Sequence, residues 1–126
     1  MAAQLLAKAE QAAGSARVLL ARGDLEGATN RAYYAAFHSA RAALTHLGAL
    51  PEGTKTHGTV IGLVGRHLVQ GGHLDAGLGR ALNRCHQLRN LADYDVGSID
   101  SEKVAQAVRD AERLVAAVRA ILGFQG

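Results

Sequence analysis

The sequence has no Trp, one Pro, one Cys and only five aromatic residues, three Tyr and two Phe. Each scarcity excludes something. So few aromatics argue against a sandwich or barrel of strands, whose pleated faces are built from aromatic and β-branched residues. A lone cysteine, Cys85, rules out a disulfide framework within the chain and fits a reducing compartment. No apolar run reaches the roughly 18 residues of a membrane span. Lys8 and Glu10 interrupt the N-terminal segment where a signal peptide needs unbroken apolar residues. The expected location is therefore cytoplasmic, away from any membrane. Charge of neither sign dominates: the net charge is +3, far short of a dedicated nucleic-acid binder. Internal repeats, linkers and low-complexity stretches are also missing.

What is present is a chain of 126 residues, 48% hydrophobic and 20% charged, rich in Ala, Leu and Arg. These are strong helix formers. The length is that of one domain, residues 1–126, able to bury roughly two-thirds of its unfolded surface. Helix signals come in order. Residues 3–22 place Leu5, Leu6, Ala9, Ala13, Ala16 and Leu20 on one face, and Gly23 ends that run. Asp24 can cap a second helix to about Leu47, with Tyr33, Phe37, Ala40, Leu44 and Leu47 as its stripe. The segment 48–55 holds the only Pro and reads as the longest loop. A third helix is expected from Thr56 to Gln70, with Val60, Leu63, Val64 and Leu68 inward, and a fourth from Leu74 to Asp93, with Leu74, Leu78, Leu82, Cys85 and Leu88 inward. Asp100 or Ser101 can cap a fifth, whose stripe is Val104, Val108, Ala111, Val115, Val118 and Leu122. The fold expected is all-α, an up-and-down antiparallel helical bundle of four to five helices.

Basic charge peaks in the middle, where residues 66–89 carry Arg66, Arg80, Arg84 and Arg89 against Asp75 alone. Eleven Arg to three Lys suits bidentate phosphate contacts, or reflects a GC-rich coding bias. Six histidines invite a metal, but none pair at a spacing of three or four and no helix offers Glu-x-x-His. Neither a metal site nor a cofactor is expected. Cys85 and His86 are neighbours on a helix, so their side chains diverge, and Cys85 falls on the apolar stripe. Two polar clusters remain. Arg31, Tyr34, His38 and Arg41 form a stripe on the second helix. Arg84, Arg89, Asn90, Asp93 and Tyr94 gather at the end of the fourth, where Arg89 and Asp93 have the spacing of a helix salt bridge.

Three segments, AYYAAFHSARAAL (32–44), KTHGTVIG (55–62) and LRNLADYDV (88–96), in that order and spacing, resemble the HEPN family of small helical bundles. The resemblance covers nearly the whole chain. It implies a homodimer, often encoded beside a minimal nucleotidyltransferase as a toxin–antitoxin pair, and many such proteins are metal-independent ribonucleases. Their motif is an Arg, usually followed by a polar residue, with a His a few positions on. Arg89-Asn90 matches the first half, but Tyr94 stands where the His would be and no His follows it.

Metal-free RNA cleavage needs a base for the 2′-hydroxyl proton and a cation for the charge on phosphorus. Arg89 can be the cation. A tyrosine, with an ordinary pKa of about 10, is a poor base at neutral pH. His38 or His57 can substitute only where the fold or a dimer brings one to Arg89. The expectation is therefore a binding partner within a nucleotidyltransferase pair, taking RNA, a nucleotide or the partner enzyme at Arg89, Asn90 and Tyr94. Arg84, Asp93, Arg31, Tyr34, His38, Lys55 and His57 would line the RNA or nucleotide site, with Tyr94 a candidate acceptor of a nucleotide. The alternatives are a ribonuclease toxin and a non-catalytic helical adaptor.

Overall fold

A computed structural model describes residues 1–54, 56–94 and 99–124, with side chains except those of residues 92–94. Among the described residues every regular element is helical: α1 (Ala2–Ala21), α2 (Leu25–His46), α3 (His57–Leu63) running into a π-helical segment (Val64–Val69), α4 (Ala76–Gly79), α5 (Ala81–Tyr94) and α6 (Ser101–Ile121). The chain is an all-α bundle, as its composition and periodicity imply.

The α1–α2 corner shows how local chemistry sets the frame. Gly23 takes φ +81°, a conformation that favours glycine. Its N–H donates to the Leu20 carbonyl and the Asp24 N–H to that of Leu19, closing α1 with a Schellman turn. Asp24 then opens α2, its Oδ1 accepting from the Gly27 N–H at 2.8 Å. A Cβ on Gly27 would fall 2.6 Å from the Asp24 carboxylate, so cap and glycine go together. Asp100 caps α6 in the same way, accepting from the Glu102 N–H.

The core follows the stripes. Leu5, Leu6, Leu44, Val60, Leu68, Leu82, Val104, Val108, Leu114 and Val118 are buried, and the stripe ends Leu20, Leu47 and Leu122 are half-buried. α2 sits at the centre, packed against α1, α3, the π segment, α5 and α6. It buries seven alanines (28, 32, 35, 36, 40, 42 and 43), small residues that suit a helix with neighbours on most sides. α1 runs antiparallel to α6, and the ion pairs Arg17–Glu112 and Glu10–Arg119 join their outer faces.

Two helix expectations need correction. The third helix does not continue as α through Gln70: it widens into a π turn, with the Gln70 N–H donating to the Gly65 carbonyl five residues back. The wider turn keeps Val60, Val64 and Leu68, each four apart, on the buried side. The fourth helix does not run unbroken from Leu74, because Asp75 caps a single turn, α4, and the chain restarts after Arg80. Gly79 explains the break, since a Cβ there would sit 2.3 Å from the Val69 side chain. Close approach to the π segment takes precedence over a straight helix.

Candidate functional site

On α5, Leu82, Cys85 and Leu88 face the core. Residues 86, 89 and 90 lie on another side by the three- and four-residue spacing of a helix. That side carries His86, Arg89 and Asn90, and it meets Tyr33 and Tyr34 of α2 and His57, the first residue of α3. Tyr33 is the hub, only 5% exposed. Its ring centroid lies 5.7 Å from that of His57 and 5.4 Å from that of His86. The Arg89 guanidinium carbon stands 4.8 Å from the same ring and 5.3 Å from that of Tyr34. The Tyr33 hydroxyl makes a long hydrogen bond, 3.4 Å, with His57 Nδ1.

The two imidazoles stack directly, with centroids 3.6 Å apart and planes at 20°. The pKa of each lies below the ordinary histidine value. For His57 burial is the main cause, followed by His86 and, more weakly, Arg89, while Asn83, which favours the protonated ring, opposes the shift. For His86 burial acts first and Arg89 second. Both rings are therefore neutral at neutral pH, each with a nitrogen lone pair to accept a proton. The Asn90 amide nitrogen lies 3.3 Å from His86 Nε2; when it donates, the ring proton sits on Nδ1. Burial also raises the pKa of the Tyr33 phenol, against the pull of Arg89. His57 Nε2, His86 Nδ1 and Arg89 Nε are buried with no hydrogen-bond partner among the described residues. A fixed cation and two neutral bases on one aromatic floor can bind an anion and move a proton beside it.

The structure sorts the residues singled out by sequence. Arg89, Asn90 and His57 come together here, and Arg31, Tyr34 and His38 continue from them along α2. Arg31 stands 5.0 Å over the Tyr34 ring, and the His38 ring stacks on Tyr34 at 5.8 Å. Arg84 does not join them. It turns toward α6, where it pairs with the buried Asp110 at 3.3 Å and donates to the Gly77 carbonyl at 3.0 Å. Lys55 and the side chains of Asp93 and Tyr94 lie outside the described residues. Cys85 is fully buried and its thiol pKa is pushed up to about 12, chiefly by burial, so it acts as a small apolar side chain. Sequence reasoning missed His86 and the polar role of Tyr33. The signal for His86 was available: His86 stands three residues before Arg89, one helical turn away on the same side.

A family model described as "HEPN domain" matches residues 2–121, and the chain belongs to that family. A protein of Methanocaldococcus jannaschii carrying the name "Putative toxin" is 31% identical over 118 residues, covering 94% of this chain and 86% of that protein. A UPF0332 protein of Gloeobacter violaceus is 38% identical over 90 residues, 71% of this chain and 69% of its own length. A UPF0332 protein of Thermotoga maritima is 28% identical over 116 residues, 91% and 86% of the two chains.

Proposed function

We propose that this protein is a toxin-type ribonuclease that cleaves RNA without a metal ion. The observation that carries the reading is the stacked pair His57 and His86 beside Arg89 on the Tyr33 ring. The case for a purely binding role rests on there being no histidine after Arg89. Two histidines from earlier in the chain supply a base instead. A neutral imidazole takes the proton of the ribose 2′-hydroxyl, and the 2′-oxygen attacks the adjacent phosphorus. Arg89 holds the charge that builds on the phosphoryl oxygens. The bond to the 5′-oxygen breaks, and the proton first taken returns to that oxygen. The products are a 2′,3′-cyclic phosphate and a 5′-hydroxyl, with atoms and charge in balance.

The test is incubation of the purified protein with labelled total RNA and tRNA in EDTA, beside Arg89→Ala. Fragments with cyclic-phosphate ends, lost in the variant, are expected. No cleavage by folded wild-type protein would overturn the reading and return the site to a binding role. Homodimerisation and pairing with a minimal nucleotidyltransferase belong to the same proposal, and co-purification with the product of a neighbouring gene of that type is its check.

A further inference from the structure

A second polar cleft lies between α1 and α2, about 290 Å³ in volume, lined by Lys8, Gln11, Ala12, Ser15, Arg31 and His38. Its charge is one-sided. Glu10 is the only carboxylate on α1, and it is drawn to the other face by Arg119 of α6. Among the described residues Lys8, Arg31 and Arg41 have no ion pair. Lys8 and Arg31 line the cleft together with His38, whose pKa lies below the ordinary value, first through burial and then through Arg41, Lys8 and Arg31 in that order. His38 Nδ1 and Arg41 Nε are buried with no hydrogen-bond partner among the described residues. Gln11 and Ser15 add neutral donors.

The like charges held together here repel one another, and a bound anion would relieve that repulsion. The cleft is also joined to the Arg89 site. The Tyr34 ring lies 5.0 Å from the Arg31 guanidinium carbon and 5.3 Å from that of Arg89, so one aromatic ring links the two arginines. Cations flanking an aromatic platform match a single strand, with phosphates on the cations and a base on the ring.

We propose that the α1–α2 cleft is a second phosphate subsite, in which Lys8 and Arg31 hold the RNA phosphodiester next to the one at Arg89 while Tyr34 stacks the base between them. The proposal rests on the RNA reading of the Arg89 site, and its test separates the two. The probe is a fluorescein-labelled 2′-O-methyl RNA hexamer, which has no free 2′-hydroxyl and stays intact. Its binding is followed by fluorescence anisotropy over a range of salt. Arg31→Ala and Lys8→Glu should each weaken binding by about tenfold. The slope of log affinity against log salt should shrink by about 0.7 for each phosphate no longer held. Lys8 is exposed, so Lys8→Glu keeps the test valid where Arg31→Ala disturbs the fold.

Affinity and salt slope unchanged in folded Lys8→Glu and Arg31→Ala would overturn the subsite. So would displacement of the hexamer by ATP or inorganic phosphate as effective, per phosphate, as displacement by unlabelled hexamer, because the cleft would then take a lone phosphate. Wild-type protein that binds the hexamer through Lys8 and Arg31 yet leaves unmodified RNA whole would uphold the subsite and overturn the cleavage reading alone.

Discussion

Helix α5 carries two arginines, five residues apart, that live in opposite surroundings. Arg84 has its demands met: a carboxylate from Asp110, a carbonyl from Gly77, and Gln106 donating to the other Asp110 oxygen at 2.9 Å. Arg89 has no ion pair and a buried Nε without a partner among the described residues; two tyrosine rings and two neutral imidazoles lie about it, and Asp24 and Glu26 line an open cleft with it without forming an ion pair. The first arrangement ties α4, α5 and α6 together. The second leaves hydrogen-bonding capacity unused in the folded chain, which is what a site kept for a ligand requires. A guanidinium's neighbours, more than its position on a helix, separate a brace from a binding group.

Four measurements test that contrast. The largest effect is expected from His57→Ala combined with His86→Ala, which removes both candidate bases and should slow RNA cleavage by about 100- to 10,000-fold. A double variant that cleaves at the wild-type rate would mean the base lies elsewhere. Next, Arg89→Ala should lower single-turnover cleavage by about 100- to 1,000-fold while the urea midpoint hardly moves. Arg84→Ala should do the reverse, costing about 1–2 kcal/mol in urea unfolding because Asp110 stays buried without its cation, with cleavage per folded molecule close to wild type. The contrast collapses if both arginines shift stability alike.

The smallest effect concerns pH. His38, His57 and His86 all have folded pKa values below 6.5, the value taken for the unfolded chain. At and just below that pH the unfolded chain binds more protons, so stability is full above pH 6.5 and falls as the pH drops through it. Thermal unfolding followed between pH 7.5 and 5.5 should show a declining Tm. The decline should be shallower in the double histidine variant and unchanged in Arg84→Ala. A flat profile in the wild type would show that these rings protonate as readily folded as unfolded.

The helices were legible in the sequence because burial repeats with the helical period, most plainly from Val104 to Val118 in α6. Glycine turns and aspartate caps marked their ends. The π turn and the break at Arg80 were not, since the helical period does not encode how closely one element packs on the next, as Gly79 does on Val69 ten residues earlier. The site was half legible. Arg89 and Asn90 stand in a recognisable motif, and Arg31, Tyr34 and His38 share one stripe of α2. His57 reaches the site only because α3 begins beside Tyr33, a matter of tertiary packing that spacing does not encode. His86 escaped notice because the motif of the family has its histidine after the arginine, although a helix places neighbours equally before and after.

The seven buried alanines of α2 have one further consequence. A helix lined by methyl groups and surrounded by other helices has little room to accept larger side chains without pushing its neighbours apart. The spacing of α1 from α2 is thus set by the smallest available parts, and Ala12 on the α1 side of the cleft is also buried. α2 works as the mandrel on which the protein is formed. Larger side chains fit only at its outward positions, and those include Arg31, Tyr34 and His38.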